Sequence, residues 1–180
     1  MTNIDKSPKI SDAKKTQYKG EAHFLRGLYY FNLVRLFGDV PWIDKQQTAS
    51  DDLQVSRTSK DIVYQHIIDD FSDAASMLPA VYENTTDIGR ATKGAAFGLL
   101  AKVYLTLKRY NETLVAIDSV MNLGVYSLNR KYEWNFSDLR ENGPESLFEV
   151  QYEKDVTAYS EFDILGPVSY THLTLPTKLE

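Results

Sequence analysis

Three aspartates lie close together in the middle of the sequence, at Asp69, Asp70 and Asp73. In glycoside hydrolases a pair of carboxylates performs the acid–base chemistry, and the two groups face each other across a cleft. One helix cannot place its own carboxylates in that way, and Asp69 and Asp73 are one helical turn apart. We therefore expect a solvated acidic face, and the cluster only weakly indicates an all-helical glycosidase.

Other catalytic residue types show no recognisable arrangement. The histidines His23, His66 and His172 are scattered, and none belongs to the His-Glu-x-x-His pattern of zinc peptidases. The sequence contains no cysteine, which excludes thiol catalysis and thiolate metal ligands. His66 has no nucleophile or orienting group beside it and is expected to be a partly exposed surface residue. We predict a protein that is not an enzyme, with no catalytic residue, metal site or cofactor.

Four aromatic residues in or near predicted loops could bind a sugar: Trp42, Tyr82, Tyr126 and Trp134. Flat aromatic rings stack on the apolar faces of sugar rings while their polar edge stays in water. Most aromatic side chains of a helical protein belong to its core, so we expect only a minority of the four to contact a ligand.

The charged residues favour structural roles over nucleic-acid binding. The formal net charge is −5, and the 20 lysines and arginines are interspersed with 25 aspartates and glutamates. No basic stripe results, so we predict no nucleic-acid partner. Arg26, Arg35 and Arg90 are expected to form structural ion pairs or to bind carbonyl groups at helix ends.

The elements that would position these residues are helices. A polar leader, residues 1–19, precedes a helix predicted from about Gly20, which ends at Gly38 with Pro41 preventing its resumption. Its apolar residues cover more than half of the circumference, as in a helix packed on two sides. The predicted stripe is Leu25, Leu28, Tyr29 and Leu36, widened by Phe24, Phe31 and Val34.

A polar loop, residues 42–57, separates this helix from a second one. The second helix begins near Ser59, whose hydroxyl is expected to cap it, and ends at Leu78 before Pro79. Its predicted core face is Val63, Ile67, Phe71, Ala74 and Leu78.

A third helix is predicted from a Thr92 cap to about Lys108. Gly94 and Gly98 lie inside it, and each costs about 1 kcal/mol relative to alanine, so we expect another helix to approach closely there. A fourth helix is predicted at about residues 111–123, with the core face Leu114, Ile117, Val120 and Met121. The spacing is irregular beyond it, and residues 146–152 are predicted as a short strand or an extended segment.

The helices group into two pairs that resemble tetratricopeptide repeats, in which small and large residues interlock between helices. Phe97, Leu100, Ala101 and Tyr104 have suitable spacings in the second pair. We predict an all-α fold of tetratricopeptide-like helix pairs, an α–α superhelix, with an irregular, loop-rich C-terminal part. This pattern alone would also fit a module that binds a peptide in a concave groove.

Residues 21–41, EAHFLRGLYYFNLVRLFGDVP, resemble the signature of the SusD/RagB family. In that signature a Glu-Ala-x-Phe-Leu-Arg-Ala-x-x-Tyr-Phe helix precedes Leu-Phe-Gly-x-x-Pro, and here Gly27 stands where alanine is usual. Residues 89–105, GRATKGAAFGLLAKVYL, resemble a second landmark of the family. Gly124-x-Tyr126-x-Leu128 and residues 145–149, ESLFE, match what usually follows. The resemblance covers about residues 20–155 in order.

The resemblance implies a surface-exposed lipoprotein of the outer membrane of Bacteroidota, with no catalytic activity. Such a protein binds starch, another polysaccharide or another nutrient and delivers it to a SusC-like TonB-dependent transporter. Its membrane attachment would be a lipid anchor, which this sequence lacks. No position matches a defined sugar-binding motif, so the carbohydrate-binding residues stay unassigned. A tetratricopeptide-like protein–protein interaction module is the alternative function.

Family members are several times longer than this chain, so we expect an internal fragment. Residues 168–180, VSYTHLTLPTKLE, match nothing in the family and are expected to be a non-native tail. The expected organisation is a leader at residues 1–19, a partial SusD-like helical domain at residues 20–167 and the tail at residues 168–180. With only two helix pairs, we expect marginal stability and a tendency to associate.

Overall fold

A computed structural model describes residues 4–48, 54–137 and 140–151 of the chain. The α-helices in this part are α1 (Asp12–Phe37), α2 (Lys60–Met77), α3 (Lys93–Thr106) and α4 (Tyr110–Met121), with 3-10 turns at Ile4–Lys6, Thr85–Asp87 and Tyr132–Phe136. Within the same residues there is no strand, only an isolated antiparallel bridge between Val40 and Thr58. The all-α prediction is therefore confirmed. His172 and the predicted tail lie outside the described residues.

The first helix begins earlier than the predicted Gly20. It starts at Asp12, and the Ser11 hydroxyl accepts a hydrogen bond of 3.4 Å from the Lys14 N–H. Residues 12–19 show no apolar period because most of their side chains are exposed, yet lysine, alanine and glutamine favour helix. Gly38 ends the helix as predicted, with φ 70 and ψ −124, a conformation that glycine adopts readily because it has no Cβ.

The helices α1 and α2 run antiparallel and pack closely through aromatic rings. Phe24 contacts Phe71 edge to face, with ring centroids 5.9 Å apart, and Phe31 contacts Tyr64 at 6.4 Å. Gly27 lies directly on the Phe71 ring, because a Cβ at this position would be 3.0 Å from Phe71 Cε1. The missing side chain of Gly27 thus makes room for a buried phenylalanine.

The face of α1 that enters the core is only part of the predicted stripe, because Phe24, Phe31 and Val34 are buried as predicted and other members of the stripe are not. Leu25, Tyr29 and Leu36 are exposed, and Leu36 keeps 75% of its accessible surface. Apolar residues of α1 lie on all sides of the helix, so their spacing alone does not predict which side is buried. The residues buried from α1 are Gly20, Phe24, Gly27, Phe31 and Val34.

Helix α2 is the centre of the bundle and packs against both α1 and α3. Its core face is confirmed as predicted, since Val63, Ile67, Phe71, Ala74 and Leu78 are all buried.

The loop between α1 and α2 is tied at both ends, which also changes how α2 is capped. The Thr58 N–H donates to the Val40 carbonyl at 3.0 Å. The Ser59 hydroxyl makes no capping bond, contrary to the prediction. Instead, the Asp39 carboxylate accepts a hydrogen bond of 2.8 Å from the Lys60 N–H. The side chain that caps α2 therefore comes from the start of the loop, next to the end of α1.

Helices α3 and α4 form the second pair. Thr92 caps α3 as predicted, accepting a hydrogen bond of 3.1 Å from the Ala95 N–H. The short connection at residues 107–109 returns the chain along α3. The predicted core face of α4 is wrong for Leu114, Ile117 and Met121, which are exposed. The residues buried from α4 are Thr113, Ala116 and Val120.

Candidate functional site

Two clefts flank the segment of residues 146–149, which lines both of them. The structure assigns no strand to the described part of this segment, which bends at Leu147. The first cleft has a volume of about 230 Å³ and is lined by Tyr82 and Tyr126, so we call it the tyrosine cleft. The second has a volume of about 510 Å³ and is lined by Asn129 and Asn135, so we call it the amide cleft.

The tyrosine cleft brings together two of the four predicted aromatic residues. The Tyr82 hydroxyl donates to the Ala91 carbonyl at 2.8 Å. Burial, together with the negative charge of Glu21, raises the pKa of Tyr82 above its usual range. The Tyr126 hydroxyl shares a hydrogen bond of 2.9 Å with Thr92 Oγ1, the group that caps α3. Both phenol groups are therefore held by the protein, and both side chains line the cleft.

The two glycines of α3 receive these loop residues. A Cβ at Gly94 would overlap the ring of Tyr126, and a Cβ at Gly98 would lie 2.6 Å from Leu147 Cδ1. The predicted close approach at these glycines is present, but the partner is not another helix. The small-residue face of α3 binds side chains of the irregular C-terminal segment, because only short side chains leave space for them.

An ion-pair cluster fixes one wall of the tyrosine cleft. Arg90 Nη1 donates to Glu21 Oε2 at 2.9 Å, and Arg90 Nε donates to Asp87 Oδ1 at 2.8 Å. The charge of Glu21 raises the pKa of Arg90. The expected structural role of Arg90 is thus found, and it ties the loop before α3 to α1.

One part of the amide cleft is lined by polar residues that hydrogen-bond to one another. The Asn129 N–H donates to Glu145 Oε2 at 2.9 Å, and its side-chain amide donates to Asn135 Oδ1. Arg140, which also lines the cleft, lies over the Trp134 ring at 3.7 Å from its centroid. Trp134 therefore lies beside this cleft, in contact with the lining residue Arg140.

Trp42 is not part of either cleft. Its ring stacks on His66 at a centroid distance of 4.5 Å and contacts Tyr30 at 4.3 Å, with the Arg26 guanidinium 5.0 Å away. These neighbours cover the ring, so Trp42 is a packing residue. His66 is half-buried on this ring, in keeping with a structural role.

Asp70 is the main correction to the sequence analysis, because it is buried rather than solvated. Only 2% of its surface is exposed. Arg26 donates two hydrogen bonds to its carboxylate, from Nε at 2.8 Å and from Nη2 at 2.6 Å. His23 Nδ1 lies 2.7 Å from Asp70 Oδ1, where the ring must donate to the carboxylate. Asp69 and Asp73 are exposed, as predicted.

This environment keeps Asp70 ionised. Burial acts to raise its pKa, but the hydrogen bonds from Arg26 and His23 outweigh burial and lower the pKa below its usual range. A general acid needs the opposite shift, so the structure gives no support to acid catalysis by Asp70. Its spacing from Ile67 and Ala74 could have placed it on the core face of α2. Within the described residues, no group of three metal-ligating side chains is close enough to hold an ion.

Comparisons with known proteins agree on one family. Residues 2–105 match the model of a SusD-like family described as starch-binding and associating with the outer membrane. SusD-like protein P25 of Formosa agariphila is 26% identical over 166 residues, which cover 92% of this chain and 31% of that protein. The solved structure of a SusD-like protein from Bacteroides fragilis superposes with a TM-score of 0.75 at 36% identity, covering 82% of this chain and 29% of that one.

A laminarin binding SusD-like protein superposes with a TM-score of 0.70 at 28% identity, covering 78% of this chain and 32% of that one. The names describe binding proteins and not enzymes, in agreement with the prediction. The chain spans under a third of the length of the curated relatives that it matches first, at 31%, 28% and 31%. The family model covers more than half of this chain, and the solved relatives share its helical architecture. The chain therefore belongs to the SusD-like family.

Proposed function

We propose that this chain is part of a glycan-binding protein of the outer membrane that delivers its ligand to a SusC-like TonB-dependent transporter. The observation that carries the proposal is the match of residues 2–105 to a family described as starch-binding and associating with the outer membrane. A relative of the same fold is named for laminarin binding. Both names point to glucose polymers as the first ligands to test.

The tyrosine cleft and the amide cleft are the places where this chain would hold a sugar. The first offers ring surfaces of Tyr82 and Tyr126, and the second offers amide, carboxylate and guanidinium groups around Leu99 and Phe148. Aromatic surface beside a few fixed polar groups is the usual composition of a small-ligand site.

Binding is tested by affinity electrophoresis and calorimetry of the 180-residue chain with laminarin and soluble starch. We expect retardation by at least one glucan, little change for Tyr126→Phe, which keeps the ring, and weaker binding for Tyr126→Leu. Tyr132→Leu is the matched control, because Tyr132 is exposed outside both clefts. Equal binding by Tyr126→Leu and the parent chain would remove the tyrosine cleft from the proposal, and no binding to any glycan would remove glycan capture by this part of the protein.

Delivery to a transporter needs a separate test in the native outer membrane. Cross-linking of the membrane protein that contains this chain, followed by mass spectrometry, should enrich a TonB-dependent transporter. Recovery of soluble proteins without a transporter would favour the alternative, a helical interaction module.

A further inference from the structure

A hollow of about 580 Å³ lies where the ends of three helices meet. Arg35 lines it from the end of α1, Lys60, Asp61 and Tyr64 line it from the first turns of α2, and Lys108 lines it from the turn after α3. It shares no lining residue with the tyrosine cleft or the amide cleft. We propose that this basic hollow binds the carboxylate or sulfate group of an acidic sugar residue.

Two of its cations are placed against local preference. Lys60 is the first residue of α2, where the positive end of the helix dipole favours acidic side chains. Lys108 has a φ of 59, a left-handed conformation that disfavours any residue with a Cβ. Neither side chain forms an ion pair with another described residue, whereas Lys15, Lys19 and Arg90 do. Departures from local preference of this kind are expected at functional or strained sites.

The third cation is held in place before any ligand arrives. The Arg35 guanidinium lies 4.5 Å from the centroid of the Phe31 ring, and its Nη2 donates to Asn32 Oδ1 at 2.6 Å. No carboxylate pairs with it among the described residues. A guanidinium carries five N–H donors, so most of its donors are not used by Asn32. Its fixed position lowers the entropy cost of binding an anion.

Tyr64 adds a neutral donor to the same hollow. Only 9% of its surface is exposed, and its hydroxyl makes no hydrogen bond to a described residue. Burial raises the pKa of Tyr64, while the charge of Arg35 acts to lower it. The phenol therefore stays protonated at neutral pH and can donate a hydrogen bond to an anion.

The surrounding negative charge limits how much anion the hollow can hold. Asp61 lines it, and the nearby Asp39 carboxylate is bound to the Lys60 N–H. The carbonyl ends of α1 and α3 also meet here. The three cations exceed the two carboxylates by one charge, and the positive N-terminal end of α2 offsets part of the negative ends of α1 and α3. This small excess suits one carboxylate or sulfate rather than a polyanionic strip.

The shape of the hollow favours a sugar over a protein as the carrier of that anion. Its volume falls in the range of about 300–1,000 Å³ of small-ligand sites, whereas a protein partner needs about 800 Å² of surface on each side. The choice of a sugar rests on the proposed glycan-binding function, but the anion site itself does not.

The test is calorimetric titration of the 180-residue chain with dextran sulfate and polygalacturonate, with neutral dextran as the uncharged control. We expect both acidic polymers to bind and dextran to bind at least about tenfold more weakly. Lys108→Gly and Lys60→Gln should each weaken binding of the acidic polymers at least about threefold. Lys108→Gly removes a cation and relieves the positive φ, so its melting temperature should equal or exceed that of the parent chain. Lys45→Gln, an exposed cation outside the hollow, should have no effect.

Several outcomes would overturn the proposal. Equal weakening by Lys45→Gln would show non-specific charge attraction, and binding of inorganic sulfate without the polymers would leave a simple anion site. Tighter binding of poly-glutamate, lost in Lys108→Gly, would assign the hollow to an acidic protein.

If laminarin or starch binds and the acidic polymers do not, only the hollow proposal fails. If acidic polymers bind through Lys60 and Lys108 and no glucan binds, only the proposed ligand class of the clefts fails.

Discussion

Asp70 shows how one residue can hold two helices together. Its carboxylate lies between α1 and α2 and receives hydrogen bonds from Arg26 and His23, both on α1. A buried carboxylate is tolerated only when its charge and lone pairs are matched in this way. Removing the charge would leave Arg26 without its partner in a half-buried position.

We expect Asp70→Asn to lower the free energy of unfolding by about 2–3 kcal/mol, because breaking a buried pair strands the remaining charge. Urea denaturation followed by circular dichroism measures this. Asp69→Asn is the matched control, since Asp69 is exposed on the same helix and bonds only Gln65 among the described residues. Its effect should stay within about 0.5 kcal/mol. Equal effects of the two substitutions would contradict the structural role of Asp70.

The same carboxylate predicts how stability depends on pH. The pKa of Asp70 is lowered in the folded chain, so its contribution to stability is complete above the unfolded-state pKa of about 3.9. That contribution is lost as the pH falls through the lower folded-state pKa. The difference in unfolding free energy between the parent chain and Asp70→Asn should therefore be fully present at neutral pH and should shrink below about pH 4. A difference that grows as the pH falls below about 4 would contradict this assignment.

At the scale of the elements, the contact between α1 and α2 depends on a glycine. Alanine normally stabilises a helix interior by about 1 kcal/mol relative to glycine. At Gly27, however, the added Cβ would press on the Phe71 ring, which is fully buried and packed on Phe24. We expect Gly27→Ala to destabilise the chain by about 1–2 kcal/mol in thermal denaturation.

We attribute the expected loss of stability in Gly27→Ala to contact with the Phe71 ring, and a double variant tests this. Adding Phe71→Leu to Gly27→Ala should cost less than the sum of the two single changes, because the smaller side chain leaves space for the Cβ. Additive effects, or a Gly27→Ala chain more stable than the parent, would refute the contact.

The elements also show what the sequence can and cannot predict. The core face of α2 is predictable because its apolar residues keep one helical spacing between polar neighbours. In α1 the apolar residues surround the helix, and the glycines at Gly20 and Gly27 mark the packed side instead. In α4 the apolar residues Leu114 and Met121 are exposed, so the spacing of apolar residues predicts the wrong buried face.

For the candidate site, the sequence indicates which residue types could bind a ligand. It does not indicate which of those residues lie together in the folded chain. Tyr82 and Tyr126 stand out as loop aromatics, but their meeting in one cleft depends on how the segment after α4 returns to α3. No local sequence pattern predicts the path of this segment. The glycines of α3 indicate that another part of the protein packs closely there, but they do not indicate which part.

At the scale of the whole molecule, apolar side chains remain on the surface of both helix pairs. Leu36 and Phe37 on α1 and Leu114 and Met121 on α4 are each more than half exposed. Exposed apolar groups of this kind favour association in water. No helix among the described residues is long and apolar enough to cross a bilayer.

We expect the 180-residue chain to associate reversibly, with a mean mass in sedimentation equilibrium that rises over the micromolar range. Leu36→Lys and Phe37→Lys together should shift the chain toward the monomer without lowering its melting temperature. Leu128→Lys is the matched control, because Leu128 is even more exposed than Leu36 and Phe37 and lies beyond α4. A monomeric parent chain at all concentrations would contradict the prediction.

The ties at the base of the loop between α1 and α2 make this region suitable for protein engineering. The Val40–Thr58 bridge and the bond from the Lys60 N–H to Asp39 hold the two ends together whatever lies between them. The entropy cost of a longer loop grows slowly, by about 0.6 kcal/mol for each doubling of its length. A foreign peptide or a fluorescent label inserted near Lys45 would therefore be displayed from a fixed base, with the helical core left unaltered.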